Sequence, residues 1–233
     1  MGCNVLVVGG TRGTGLEITR LLVASGYGVR ASSRDPGSNS LVPGGVELVQ
    51  ADVTDSRSLE PVVADVDHVV CTVGVTKKLA SESEIRTTEY DGVANLIAAT
   101  KNAGLPGRFM YMNSIGVKRH SAAAALLNTV KGNTLVWRGR AEEALRQCGL
   151  RYTIVRAGFL NDDPGGVRAV ELRQDNLPLR RRYRISREDV AQVFSAALGV
   201  PQTEGATLDA VWAGGKNTRR GNIFGAVRRD ATI

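Results

Sequence analysis

The sequence predicts an α/β fold, a doubly wound parallel sheet of about seven strands with helices on both faces. Two observations carry that prediction. Short β-branched runs alternate with longer helical patterns along most of the 233 residues, and strand, helix, strand repeated this often is the pattern of a sheet whose crossover helices cover both faces. Most of the strand candidates are also apolar without a break, as strands buried on both faces are.

Taken in order, Asn4 to Val8 is the first strand, and four glycines within seven positions, Gly9, Gly10, Gly13 and Gly15, lead from it into a helix over Gly15 to Ser25. Leu16, Ile18, Leu21 and Leu22 form the apolar stripe of that helix. Strands follow at Gly28 to Ser32 and Val46 to Gln50, then a helix over Ser56 to Val63 with Ser56 as N-cap. In the next strand, His68 to Val73, the histidine reads as structural. A long helical pattern, Ile85 to Asn102, stops at Gly104; the strand Arg108 to Asn113 precedes a helix over Thr134 to Gln147 that stops at Gly149. Tyr152 to Arg156 is a strand, Arg187 to Leu198 a helix capped by Ser186, and Thr207 to Trp212 the last strand. Asp162 to Arg184, rich in Pro, Gly and Arg, breaks the rhythm and reads as an excursion off the sheet. The organisation expected is one domain over residues 1–212 with an excursion at 160–186, followed by a basic tail over 213–233 without a clear period.

Composition agrees with this and bounds the partners. A content of 42% hydrophobic but only 5% aromatic residues suits a single domain with an aliphatic core. No apolar run approaches the roughly 18 to 20 residues of a membrane-spanning helix, and the strand at Asn4 leaves no room for a cleaved leader. The expectation is a soluble, cytoplasmic protein with no membrane partner. Cys3, Cys71 and Cys148 are odd in number and far apart, which indicates neither a disulfide framework nor a metal site. A formal charge of +7 favours anionic partners without choosing among nucleic acid, membrane surface and phosphorylated small molecules.

The glycine turn brings backbone N–H groups and the positive end of the first helix to one place, where a diphosphate can sit with no side chain in the way. Gly9, Gly13 and Gly15 follow a G-x-x-x-G-x-G spacing. After a first strand and inside a long αβ alternation, that spacing reads as a dinucleotide cradle of the Rossmann type, with Thr11, Arg12 and Thr14 in the turn. The end of the second strand chooses the dinucleotide. An NAD site places an acidic residue there, whereas "VRASSRDP" has Ala31 and Ser32 at that position and Ser33 and Arg34 just beyond. Arg12 projects toward the same corner. Two guanidiniums and a hydroxyl suit a phosphate monoester, so the cofactor expected is NADP; Asp35 is the residue that could instead serve NAD or pair with Arg34.

The blocks "VLVVGGTRGTG", "ADVTDSRSL", "EYDGVANLIAATKNAG", "MNSIGV", "WRGRAEEALRQCGLRYTIVRAGFLNDDPGG" and "ISREDVAQVFSAAL" occur in the order seen in atypical short-chain dehydrogenase/reductases. Over about residues 3–212 the chain resembles the NmrA-like, NAD(P)H-binding group that includes biliverdin-reductase-B-like and Tic62-like proteins. The resemblance implies a place beside the adenine for Asp52 and Val53, with Asp52 accepting from the exocyclic amine. It implies Thr72, Val73 and Gly74 along the cofactor ribose, Asn113 among the cofactor-binding residues, and Ala157, Gly158, Phe159 and Leu160 along the nicotinamide. It also implies a Ser, a Tyr and a Lys four residues later as the chemical groups of orthodox members. Ser114 matches the serine, Arg140 stands at the lysine position and Val136 at the tyrosine position, so the tyrosine is absent. Arg140 can bind ribose hydroxyls but its pKa bars it from relaying a proton. Ser114, Tyr90 and His120 are the candidate proton donors, and Trp137 is either a stacking surface for a flat substrate or a packing residue.

Without the tyrosine, hydride transfer from a reduced nicotinamide is best matched to a flat conjugated acceptor, such as a flavin, quinone, enone or tetrapyrrole-like molecule, which can be protonated from solvent. The function expected is NADPH-dependent reduction of such a small molecule. The alternative is a non-catalytic, NmrA-like redox sensor that binds NADP and reports to a partner. The basic runs "LRRRYRISR" over 179–187, "KNTRR" and "VRR" come with no nucleic-acid-binding signature and read as a solvated face or the rim for an anionic substrate. Nothing in the sequence sets the oligomeric state, and an oligomer is compatible with it.

Overall fold

The computed structural model describes residues 3–37, 40–77, 79–214 and 223–231. In chain order its elements are β1 (Asn4–Val8), α1 (Gly13–Ala24), β2 (Gly28–Ser33), β3 (Glu47–Gln50), α2 (Ser56–Val63), β4 (His68–Cys71), α3 (Glu82–Arg86), α4 (Gly92–Asn102), β5 (Phe109–Ser114) and α5 (Ala122–Val130). They continue with α6 (Thr134–Gln147), β6 (Tyr152–Ala157), β7 (Phe159–Asn161), β8 (Val170–Arg173), β9 (Arg184–Ser186), α7 (Arg187–Leu198) and β10 (Ala206–Trp212).

The main sheet has eight strands in the order β3-β2-β1-β4-β5-β6-β10-β8. All neighbours are parallel except β8, which runs antiparallel to β10 with Asp209 opposite Arg173. The chain winds outward from β1 to β3, returns to lay β4 on the other side of β1, and then winds to the opposite edge. The direction of winding therefore switches between β1 and β4, and the carboxyl ends of these two strands open a crevice.

The unbroken apolar strands have their cause in two cores, one per face. Val5 and Val7 face a cluster with Ile18 and Leu22 of α1 and Val190 and Phe194 of α7. Leu6 and Val8, their neighbours in the same strand, face the other way into a cluster with Leu59 of α2, Leu96 of α4 and Leu145 of α6, because successive side chains of a strand point to opposite faces. Where β6 and α6 meet, the interior is charged. Arg156 ion-pairs with the fully buried Glu142, which also takes Arg146 at 2.5 Å. Burial works against the Glu142 carboxylate, but Arg156 and Arg146 overcome it and hold the carboxyl below its usual range.

Four features depart from the sequence reading. The excursion returns to the sheet, since Val170–Arg173 is the edge strand β8, and β7 and β9 pair parallel with each other in a second, two-stranded sheet. An edge strand with one side toward solvent keeps charged residues, so "VELR" lacks the apolar run by which the inner strands are recognised. The stretch after His120 is a helix, α5, whose cap Ser121 accepts from the Ala124 N–H at 3.1 Å. The pattern over Ile85 to Asn102 is interrupted by a π turn at Thr87–Asp91. Finally, the described end of the chain packs back on the domain. Phe224 is 6% exposed in the core beside α7, and Asp230 accepts from the Tyr152 hydroxyl at 3.0 Å and the Thr207 N–H at 3.1 Å. The "KNTRR" run lies outside the described residues. Among them, no helix is long and apolar enough to cross a membrane.

Candidate functional site

A cleft of about 560 Å³ opens at the carboxyl ends of the central strands. Its floor is the glycine turn, with Gly9, Thr11, Arg12, Gly13, Thr14 and Gly15 all in the lining. The bareness of the turn is a packing requirement as well as an opening, because a Cβ on Gly15 would stand 2.1 Å from the Gly9 carbonyl oxygen. Arg12 is extended and caps α1 without a side-chain bond, and the first turn of α1 carries no acidic residue to oppose its positive end.

The end of β2 brings Ser33, Arg34 and Asp35 to the same cleft as Arg12. Among the described residues neither guanidinium has an ion-pair or hydrogen-bond partner. The hydroxyl of Ser33, next to Arg34 in the chain, is buried and likewise unpartnered. A buried donor left without an acceptor is costly, and an anion at this corner would satisfy it. The bare turn and the orphaned hydroxyl together fit a phosphate-bearing dinucleotide.

On the wall between these two regions, Asp52 and Val53 line the cleft after β3. Asp52 Oδ1 accepts from the Thr54 N–H and hydroxyl, both at 2.9 Å, while helix α2 is capped by Asp55, whose Oδ1 takes the Arg57 N–H at 3.1 Å. Capping is thus left to Asp55. Thr72, Val73 and Gly74 line the cleft after β4, and the Thr72 hydroxyl donates to the Val8 carbonyl at 2.9 Å, tying the ends of β4 and β1 together.

Toward β5 and β6 the sequence reading needs correcting. Arg140 lies outside the cleft, exposed, with its guanidinium 4.5 Å from the centre of the Trp137 ring, and Val136 is 43% exposed. The arginine that α6 sends into the cleft lining is Arg138. It packs so closely on Gly74 that a Cβ there would lie 2.4 Å from Arg138 Nη2. The same Nη2 donates to Glu89 Oε1 at 2.9 Å, and Thr134, one turn earlier in α6, donates to the other oxygen of that carboxylate. Glu89 is 1% exposed and also accepts from the Val75 N–H at 3.0 Å. Burial opposes the Arg138 charge, but Glu89 and the groups around it hold the guanidinium above arginine's ordinary pKa. It is a fixed cation. Sequence reasoning missed this pair because it counted from the expected motif; Glu89 and Arg138 carried no signal of their own among many charged residues.

The other chemical candidates also sit elsewhere. The Ser114 hydroxyl donates to the Ile115 carbonyl at 3.0 Å, and Ser114 does not line the cleft. Asn113 is 2% exposed and turned into α6, its amide donating to Glu142 at 2.8 Å and to the Arg138 carbonyl at 3.3 Å. Tyr90 packs its ring 5.9 Å from that of Trp137, and His120 is exposed ahead of α5. Trp137 is a packing residue, its N–H on Glu82 at 3.2 Å. Tyr111 is fully buried with an unpartnered hydroxyl, and burial pushes its pKa above the ordinary value. Of the run Ala157 to Leu160, Leu160 lines the cleft, whereas Ala157, the last residue of β6, is buried, Phe159 packs in a side cluster, and Gly158 lies against the Tyr183 carbonyl. Met112 of β5 and Val75 are also in the lining, and Arg187, part of the basic run over 179–187, enters it from α7.

Known proteins give this geometry a family. A family model described as NAD(P)H-binding matches residues 9–201. The chain is 26% identical over 216 residues to a sanguinarine reductase of Eschscholzia californica, covering 78% of each protein. It is 30% identical over 175 residues to the chloroplastic protein TIC 62 of Arabidopsis thaliana, covering 66% of this chain but spanning only 27% of that relative's length. Among solved structures, a short-chain dehydrogenase/reductase from Veillonella parvula in complex with NADP shares the fold, with a TM-score of 0.73 at 16% identity over 95% of this chain and 100% of that one. The chain belongs to the NAD(P)H-binding family.

Proposed function

We propose that the protein is an NADPH-dependent reductase of a small, flat, conjugated molecule. The observation that carries this reading is that Arg12 and Arg34 line one cleft without partners among the described residues, together with Ser33 at the end of β2, whose hydroxyl is buried and unpartnered. Charge-assisted bonds from two guanidiniums are suited to the extra phosphate that distinguishes NADP from NAD. A bound reduced nicotinamide supplies a hydride.

The chain's own residues then do the rest. Arg138, held by Glu89 against Gly74, can donate to ribose hydroxyls but keeps its proton. Met112, Val75 and Leu160 put apolar side chains into the lining, against which a flat molecule can pack. Among the described residues no tyrosine lines the cleft, which favours a substrate that takes its proton from water. The relative named a sanguinarine reductase supports reduction of a small molecule as the chemistry.

Rapid mixing of the purified protein and NADPH with flavins, quinones and enones, followed by nicotinamide absorbance, is expected to show turnover. No turnover with any of them, alongside intact NADPH binding, would replace the reductase by a redox-sensing binding protein. Changing Arg12 and Arg34 together to Ala should weaken NADPH by a factor of about 100 or more while hardly altering NADH, since each charge-assisted bond contributes about 1.5 to 3 kcal/mol. Equal losses for both nucleotides would place the phosphate elsewhere.

A further inference from the structure

Arg187 reaches the glycine turn from the far end of the chain. It is the first residue of α7, and its Nε lies 3.7 Å from where a Cβ on Gly13 would stand, over the opening of α1. Most of the sequence separates the two, and the packing of α7 against α1 brings them together. The base of the side chain is rigid. Ser186 caps α7 by accepting from the Asp189 N–H at 3.0 Å, and the buried Asp189 carboxylate accepts from the Gly166 N–H and the Trp212 ring N–H, both at 2.7 Å, and from the Ser186 hydroxyl at 2.8 Å.

Among the described residues the guanidinium pairs with Asp162. Arg187 Nη1 donates to Asp162 Oδ1 at 2.6 Å, with side-chain exposures of 30% for the arginine and 87% for the aspartate. An ion pair with so exposed a carboxylate adds little to stability. What it does achieve is to keep a cation stationed over the bare turn.

We propose that Arg187 is a dinucleotide-binding residue whose guanidinium grips the diphosphate from the wall opposite the glycine turn, with Asp162 holding it there until the diphosphate displaces the carboxylate. The exchange is favourable because a diphosphate offers two charges and several acceptors to the planar fork, inside a cleft already polarised by the N-terminus of α1, whereas Asp162 offers one charge in open water. The grip is blind to the 2′ position, since Ser33 and Arg34 stand at the end of β2 and Arg187 stands over Gly13. It rests on the family's cofactor and not on the reductase reading.

Calorimetric titration of the full chain with NADPH and with NADH tests it, comparing wild type, Arg187→Gln, Arg187→Lys and Asp162→Asn without any acceptor present. Arg187→Gln should weaken both dinucleotides by the same factor, about tenfold or more, and Arg187→Lys should recover part of the loss. Asp162→Asn, which removes the competitor and keeps the cation, should tighten both by about two- to fivefold. Unchanged affinity in Arg187→Gln, or a loss confined to NADPH, would overturn the assignment. Should Arg187→Gln melt early, Asp162→Asn decides alone, and unchanged or weaker binding there overturns it as well.

Discussion

Arg138 and Arg140 stand two residues apart on one helix and have unrelated roles. At about 100° per residue, two residues turn a side chain to roughly the opposite face, so a motif counted two residues out exchanges a cleft-facing arginine for an exposed one. The spacing of the pair that matters is still four, Thr134 to Arg138, and both end on Glu89. Replacing Arg138 by Ala should weaken dinucleotide binding about tenfold and destabilise the fold by about 3 kcal/mol, because Glu89 is left buried with its charge unpaired. Arg140→Ala removes only an exposed contact with the Trp137 ring, worth about 0.5 to 1 kcal/mol. Paired denaturant melts and nucleotide titrations separate the two variants, and an Arg140→Ala protein with impaired binding would return that residue to the site. Gly9, Gly13, Gly15, Ser33 and Arg34 were legible without a structure, because a local turn and the end of one strand place them; Glu89, Arg138 and Arg187 were not, because each depends on which face of a helix meets the sheet.

Between α3 and α4 the helix widens to a π turn at Thr87–Asp91, and Glu89 lies within it. An inserted residue of this kind shifts the faces of everything that follows, which is how a carboxylate on an otherwise ordinary helical pattern comes to be 1% exposed beneath the cleft. A second device joins β4 to β5. His68 Nδ1 accepts from the Arg108 N–H at 2.9 Å, which requires a neutral ring. Burial first, and the neighbouring Arg108 charge next, hold the His68 pKa below its ordinary 6.5. The unfolded chain therefore takes up this proton at a higher pH than the folded one, and folding stability falls as the pH drops below about 6.5, with no contribution above it. His68→Asn keeps an acceptor near the Nδ1 position but does not titrate. Its melting temperature should decline less than that of the wild type between about pH 7 and pH 5; parallel declines would show that other groups set the acid sensitivity.

At the scale of the molecule, cleft and tail occupy opposite ends of the sheet. Asp230 binds Tyr152 and Thr207 at the starts of β6 and β10, while the cleft opens at the carboxyl ends of the strands. Phe224 fills a place in the core between these strands and α7. The described residues 223–231, although they read as part of an aperiodic basic tail, close the base of the domain. Phe224→Ala should cost about 3 kcal/mol of stability by guanidinium titration and leave nucleotide affinity unchanged. A matching loss of affinity would mean that the tail and the cleft are coupled.

The αβ alternation, the unbroken apolar strands and the bare turn after β1 determined the sheet, its two buried faces and the cradle for a phosphate-bearing nucleotide, since all three are written in neighbouring residues and follow from local geometry. The edge strand β8, the fixed Glu89–Arg138 cation and the Arg187 station over Gly13 were decided only in three dimensions. Each joins segments far apart in the chain, and a side chain's direction there is set by packing between elements, on which spacing within one element says nothing.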